Sequence, residues 1–417
     1  MKIAVIGAGI IGITTSYELA LDGHEVVVYE RRNAAAEETS FANAGILAPG
    51  YVTPWAAPGM PGKVLAQMFQ RHAGIRLTLP LALSDFGWMW RWYRACRLDV
   101  YQANRAHLQR LAFYSRERLL DITTRLKLDF DRSDGYLVLL RSDRDRAMAE
   151  PSLQVLRNAG VSFQQLDTAG ARRVEPALNP DTPFVGAILC PDDGVGNCRQ
   201  FALMLKNEAQ RLGVQYRFGT AVQTLDTRRG MSVVCAHYET ARRFDAVVGC
   251  AGTESTRLLR PLGIRAPMAA VHGYSISAAI REPLNAPRSG VMDEHYKVAI
   301  SRLGQRVRVA GGAELGGSAA RHNKASIGTL YKVMHDWFPG AASATMGVQE
   351  WKGARPMLPN RPPMIGATPI SGLWLNLGHG SSGWAMACGS ARVLADQIQG
   401  RSPDIDAAGF ATAAPQS

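Results

Sequence analysis

The sequence predicts a mixed fold, α/β and α+β: a parallel sheet assembled from discontinuous segments, and an inserted domain whose sheet is mostly antiparallel. Three observations predict it. The chain opens on an apolar run, a glycine-rich turn, a helical stretch and a second apolar run, in Lys2-Ile-Ala-Val-Ile-Gly-Ala-Gly-Ile-Ile-Gly-Ile13 and the residues up to 30. A later apolar strand, 244–248, runs into Gly249-Cys-Ala-Gly252. The chain closes on a strand at 373–376, another glycine-rich turn and a helix over 384–398. These α/β units sit at the start, middle and end, while strands dominate 269–310 between them.

Taken in order, residues 3–6 read as a strand buried on both faces. Gly7 permits the tight turn. Gly9 has no Cβ, so a pyrophosphate can approach the backbone. Gly12 lets the helix over 10–21 pack close to the strand, and Ile10 and Ile11 open that helix with free N–H groups aimed at phosphates. The second strand, 25–29, ends at Glu30, an acceptor for a ribose that repels a 2′-phosphate. Strand, turn, helix, strand and acid make the Rossmann-type dinucleotide fingerprint in its required context. By itself it does not separate NAD from FAD.

Residues 34–62 are rich in Ala, Gly and Pro and read as loop. The pattern over 84–127 is helical; Trp88 and Trp92 share one face while Arg91 and Arg94 lie on another. That stretch is either packed on a core or makes a membrane-surface or quinone-side contact. A strand at 135–140, a helix at 144–158, a helix at 197–212 ending at Gly213, a strand at 214–217 and a helix at 325–336 follow. Residues 1–60, 160–265 and 350–417 are assigned to the dinucleotide domain, and 61–159 and 266–349 to a substrate domain. The tail, 407–417, is small and polar and expected to fray.

A chain of 417 residues with 47% hydrophobic and 20% charged content predicts two globular domains. Six scattered cysteines form no Cys-x-x-Cys pair and no zinc spacing, so no metal is expected and a reducing cytosol fits. Lys2 and the following apolar run mimic a signal peptide, but the fingerprint glycines argue against cleavage. No apolar stretch has transmembrane length. The net charge is +12 without a dense Lys/Arg block. Peripheral contact with an anionic membrane is favoured over nucleic acid.

Two features tilt toward FAD. In Asp245-Ala-Val-Val-Gly-Cys-Ala-Gly252, small residues Ala251 and Gly252 end a late strand where the chain must pass close to a dinucleotide. Leu377-Gly-His-Gly-Ser-Ser-Gly-Trp384 opens the last helix, whose N–H groups and dipole can stabilise the charge of a reduced isoalloxazine.

The chain resembles the bacterial FAD-dependent D-amino-acid dehydrogenases, in the wider superfamily of D-amino-acid, glycine and sarcosine oxidases. The resemblance covers nearly the whole length. It rests on Thr39-Ser-Phe-Ala-Asn-Ala-Gly45, Pro49-Gly-Tyr51, Pro54-Trp-Ala-Ala-Pro-Gly59, Met68-Phe-Gln-Arg-His-Ala73, Trp88-Met-Trp90, Gly273-Tyr-Ser275, Asp293-Glu-His-Tyr-Lys-Val-Ala-Ile-Ser301, Gly353-Ala-Arg-Pro-Met357, Asn376-Leu-Gly-His-Gly380 and Gly383-Trp-Ala-Met-Ala-Cys-Gly-Ser390. It implies oxidation of D-amino acids to 2-oxo acids and ammonia, with hydride passing from Cα to flavin N5. It also implies a respiratory-chain acceptor, a quinone or carrier, at the inner face of the bacterial cell membrane.

That chemistry needs an anchored carboxylate, a Cα–H aimed at the flavin and an amine free to lose a proton. The resemblance assigns Arg355 as the carboxylate anchor, since a planar guanidinium holds a carboxylate by two parallel hydrogen bonds. Tyr296, on an expected strand, and Tyr274 are the other substrate-side candidates. Ser40, Asn43, Ala44 and Gly45 are expected near flavin and pyrophosphate. Val222 is expected toward adenine, with Arg31 against it. Gly378, His379, Gly380, Ser381 and Gly383 are expected at the ring. Tyr51 and Trp55 either cover the pocket or belong to a structural loop. The less familiar loops, 285–290 and 304–324, leave D-proline, a D-hydroxyproline, glycine or sarcosine open as substrates beside D-alanine. A flavoprotein acting on modified tRNA and a non-catalytic electron-transfer subunit are the more distant alternatives.

Overall fold

The computed structural model describes residues 1–67, 70–158, 160–227, 230–235, 241–343 and 346–412. Met68 and Phe69 of the quoted motif, and the end of the tail, lie outside the described residues. The opening strand, Lys2–Ile6, becomes the middle of a six-stranded sheet. The order is Met364–Ala367, Leu373–Leu377, Ala246–Gly249, Lys2–Ile6, Glu25–Tyr29, Gln215–Arg217. All pairs are parallel except the edge pair of Met364–Ala367 and Leu373–Leu377. Its Val/Ile/Leu runs are buried, as strands covered on both faces must be.

The long helices are α1 (Ile10–Leu21), α2 (Leu83–Ala95), α3 (Leu98–Leu126), α4 (Asp143–Asn158), α5 (Cys198–Arg211), α6 (Lys324–Trp337) and α7 (Gly383–Ile398). The single helical stretch expected over 84–127 is two helices. The break falls at Cys96, whose N–H closes on Tyr93 O, and at Arg97, which is extended. Trp88 and Trp92 are buried and pack on Trp55 at 5.6 and 5.7 Å between ring centroids, so that face of α2 is core.

A ten-stranded sheet carries the second layer. Its pairs are antiparallel except Gly290–Asp293 with Ser133–Leu140 and Arg306–Gly316 with Ile75–Thr78. The strand Gly186–Val195 joins this sheet, although it falls inside the span 160–265 assigned to the dinucleotide domain. Conversely α3, inside 61–159, buries Leu111, Leu119 and Ile122 in one cluster with α1 and α7 over the six-stranded sheet. The described part of the tail, 407–412, is docked and not frayed as expected, while 413–417 lie outside the described residues. Phe410 is fully buried, its ring edge-on to His107, and Arg110 pairs with Asp406 at 2.8 Å.

One carboxylate ties the helix layer together. Glu18 on α1 is 0% exposed. It accepts from Arg118 on α3 at 2.7 and 2.8 Å and from Arg392 on α7 at 2.8 Å. Removing one partner of a buried pair leaves the other charge uncompensated. Glu18→Ala is expected to lower the free energy of unfolding by about 3 kcal/mol, the low end for such a loss, because Arg392 keeps Asp22 and Asp396. Urea denaturation of the two proteins checks this.

Candidate active site

The glycine turn is built by close approach. A Cβ on Gly12 would lie 1.9 Å from Gly7 O, and one on Gly7 would lie 2.7 Å from Cys250 O and 3.1 Å from Ala251 Cα. Gly7 also has φ +107. The three segments of the six-stranded sheet therefore meet with no room for side chains, which puts Ala251 and Gly252 beside the turn. At Gly9 the nearest atom to a built Cβ is Ser40 Oγ at 3.5 Å. That hydroxyl accepts from Ile10 N–H at 3.0 Å. Helix α1 has no side-chain cap at Gly9 and no acid in its first turn, so its positive end stays free for an anion.

Glu30 is buried beside this turn. Its two oxygens accept from Ala8 N–H at 2.7 Å and Arg32 N–H at 2.8 Å. Thr220 N–H donates to Glu30 O and Gly219 N–H to Arg32 O, each at 2.8 Å, which draws the strand start at Val222 alongside. Val222 O accepts from Arg257 at 2.9 Å. Arg31 is held at the rim by Glu38 at 2.9 Å and Glu254 at 3.4 Å.

The loop 39–45 bridges the two sheets. Thr39 Oγ1 donates to Ala354 O (2.6 Å), Ser275 Oγ to Ala42 O (2.7 Å), Arg308 to Asn43 O (3.1 Å) and Ser301 Oγ to Ala44 O (2.7 Å). Asn43 Oδ1 accepts from Gly45 N–H at 3.0 Å, closing the loop on itself. Three of these donors, Ser275, Arg308 and Ser301, come from the ten-stranded sheet and the fourth, Thr39, from the loop itself, and sequence reasoning missed them. Nothing local marks a serine on a strand as a clamp for a carbonyl 200 or more residues away, at |i−j| of 233 for Ser275 and 257 for Ser301.

Arg355 lies in the strand Gln349–Met357 between this loop and the last glycine turn. Thr39 holds the residue before it, and Met357, two residues on, bridges to His379. Its guanidinium occupies the space left by Gly273, where a Cβ would fall 2.2 Å from Nη2, and it donates to Gly312 O at 2.7 Å. Among the described residues no carboxylate pairs with it. It is half-buried, and burial brings its pKa down to about 10, so it stays charged at neutral pH. Gly378 and Gly380 have φ of +82 and +58 and press on Leu358 and Met357. His379 between them is buried with Nε2 unpartnered, and burial pushes it down to about 3, so it is neutral. Ser381 lies in the short turn that leads into α7 at Gly383, and α7 has no side-chain cap.

The two tyrosines are not brought to this face. Gly273 faces Arg355, so its neighbours His272 and Tyr274 point to the other side of the sheet. Tyr274 packs in the cluster under α6 and its hydroxyl donates to Glu314. Tyr296 is in a turn and not on a strand. Asp293 Oδ1 accepts from its N–H at 3.1 Å, and Lys297 adopts φ +53, which ends the extended run that alternation had suggested. Its ring lies against Arg141 at 5.1 Å and Lys332 at 5.3 Å. Tyr51 donates to Glu294, while Trp55 lines a small cavity with Met357 and the 378–382 turn. Burial, then Lys352 and Arg355, hold His272 below its ordinary 6.5.

The residues fit a flavin dinucleotide: a glycine cradle at an uncapped helix, a buried ribose acceptor, an unpartnered histidine nitrogen and a guanidinium without an acid. The family model described as DAO, FAD dependent oxidoreductase, matches residues 2–397. The chain belongs to this family of FAD-dependent oxidoreductases. FAD is its cofactor, and the chain is an enzyme. A D-amino acid dehydrogenase of Cereibacter sphaeroides is 43% identical over 98% of this chain and 94% of its own length. One from Rhizobium johnstonii is 40% identical over 98% of each. The fold is that of glycine oxidase from Geobacillus kaustophilus, with a TM-score of 0.78 at 19% identity over 99% of this chain and 98% of that one. Among the described residues of the oxidoreductase, no group of His, Cys, Asp and Glu is placed to hold a metal.

The ion pair of Glu314 and Lys352 lies behind the site of the oxidoreductase. Burial raises the Glu314 pKa, but hydrogen bonds from Tyr274, Asn323, Thr78 and Lys352 outweigh it and bring the group from 4.5 to about 2. A depressed carboxylate stabilises the fold above its unfolded pKa, and that share is lost as pH falls from 4.5 toward 2. The urea midpoint of Glu314→Gln is expected to shift less between pH 5 and pH 3 than that of the parent.

Proposed function

We propose that the enzyme oxidises D-amino acids to 2-oxo acids and ammonia and passes the electrons to a respiratory-chain acceptor, a quinone or carrier. The carrying observation is Arg355, a half-buried guanidinium without an acid partner among the described residues, set between the loop 39–45 and the turn 378–380. The relatives' name, D-amino acid dehydrogenase, supports the D configuration and an acceptor other than oxygen.

Gly7, Gly9, Ile10, Ile11 and Gly12 would hold the pyrophosphate of FAD, and Glu30 its ribose. Val222, Ala251, Gly252 and Arg31 would flank the adenosine half. Ser40, Asn43, Ala44, Gly45 and the run Gly378, His379, Gly380, Ser381, Gly383 would enclose the ring half. Bound FAD supplies the two-electron acceptor for the Cα–H bond. Arg355 takes the substrate carboxylate by two parallel hydrogen bonds, and its bond to Gly312 O fixes the fork. Desolvation beside a guanidinium disfavours the substrate ammonium, so the neutral amine, with its lone pair, is the bound form. The neutral His379 adds no charge, and the start of α7 offers partial positive charge to an anionic ring. Loss of hydride from Cα, with the amine lone pair closing the C=N bond, leaves the imine of the substrate, which water hydrolyses to the 2-oxo acid and ammonia.

The reading includes a place at the inner face of the cell membrane. Among the described residues no helix is long and apolar enough to cross a bilayer. Helix α2 instead turns Leu83, Phe86, Trp90 and Tyr93 outward at a spacing of three and four, opposite its buried tryptophans. Leu83 is 91% exposed, and Leu79 just before the helix is 81% exposed. Arg91, Arg94 and Arg97 are exposed among them. An apolar stripe rimmed by arginine suits an anionic lipid interface.

Arg355→Met is expected to raise the apparent KM for a D-amino acid by at least about 10²-fold with FAD content retained. Gly273→Ala, which displaces the guanidinium, should move KM in the same direction. Steady-state kinetics with a dye acceptor, after flavin content is measured by absorbance, checks both. Anaerobic titration with D- and L-amino acids, D-proline and glycine tests the substrate class; a flavin that no amine bleaches would end this reading. Phe86→Asp with Trp90→Asp should abolish sedimentation with phosphatidylglycerol vesicles while leaving dye-linked turnover in place.

A further inference from the structure

A groove of about 730 Å³ runs between α3, α4 and the loop after α4. Its size suits a small molecule, and it shares no lining residue with the site around Arg355 and Glu30. Arg105 lies in its lining and is only 3% exposed. The guanidinium donates to Tyr101 Oη at 3.2 Å and to Ser152 O at 3.5 Å, while its Nε has no partner. No described carboxylate pairs with it. A buried cation left so is costly unless an anion meets it.

The other arginines of the groove are engaged. Arg110 pairs with Asp406 at 2.8 Å, and Arg116 donates to Asp192 O at 3.4 Å and lies 5.2 Å from the Phe113 ring centre. Arg105, which also lies 5.9 Å from the Tyr101 ring centre, is thus the buried guanidinium of the three, with an unpartnered nitrogen and no acid, and the one lining carboxylate, Asp192, would repel a second negative charge. Tyr101, Phe113, Val155 and Val161 present apolar wall. A planar fork selects a carboxylate.

We propose that this groove binds an apolar monocarboxylate, its head on Arg105 and its hydrocarbon body along Phe113, Val155 and Val161. Two sources share that chemistry, a fatty acid and a 2-oxo acid with a bulky apolar side chain. The test is calorimetric titration of the FAD-loaded enzyme with decanoate, phenylpyruvate and decyltrimethylammonium. At least one carboxylate should bind at 1:1 stoichiometry, and the cation should not. Arg105→Met, and separately Val155→Asp, should weaken that binding at least tenfold, whereas Arg355→Met should leave it in place. Decanoate alone would identify the fatty acid source, and phenylpyruvate alone the 2-oxo acid. Arg105→Met should also raise the Tm of the unliganded enzyme, and the bound carboxylate should raise the Tm of the parent only. Absence of binding by both carboxylates, equal binding of the cation, affinity that survives either groove variant, or affinity lost with Arg355→Met would overturn the proposal.

Discussion

The site depends on the clamp that joins two sheets through one loop. The nucleotide end belongs to the six-stranded sheet, and Arg355 belongs to the ten-stranded sheet. Neither sheet sets the distance between them. The loop 39–45 does, together with the Met357–His379 bridge, because Ala42, Asn43 and Ala44 each give a carbonyl to a side chain of the large sheet, while Ser40 holds the first N–H of α1. Individually such bonds contribute about 1 kcal/mol. Together they fix the loop in one position, and with it the gap between the sheets where the flavin ring is proposed to lie.

Charge is distributed to match. Most buried ions in this protein are paired, as Glu18 is with Arg118 and Arg392, Asp293 with Arg141, and Glu314 with Lys352. Arg355 and Arg105 depart from that pattern. A guanidinium out of water is costly without a counter-ion, and at both places the proposed carboxylate ligand would supply it. Near Arg355, His379 is held neutral by burial and adds no charge.

Much of the nucleotide end was legible in the sequence. Strand, glycines, helix and acid act within thirty residues, so local spacing carries their geometry. The last glycine turn was legible for the same reason. The roles of Tyr274 and Tyr296 were not. Which face of a strand a residue takes is settled by register with its neighbours, and Tyr274 falls one position from the face that holds Arg355. Tyr296 was displaced by a side-chain-to-backbone bond from Asp293 that alternation of apolar residues does not encode. The aromatic stretch at Trp88 concealed two faces, because tryptophans at 88 and 92 point inward while that at 90 points out.

By itself the sequence determined the cradle: three glycines, of which Gly7 and Gly12 admit no side chain without striking Cys250 O or Gly7 O, and an acid at the end of the second strand. It determined the family through runs of residues along the whole length. Only the tertiary structure decided that Arg355 and Arg105 stand without an acid among the described residues, because pairing is a property of segments that meet across hundreds of residues. It also decided which layer each element joins, with α3 packed over the six-stranded sheet and the strand Gly186–Val195 paired in the ten-stranded one, since burial of an apolar face follows contact in space and not order along the chain.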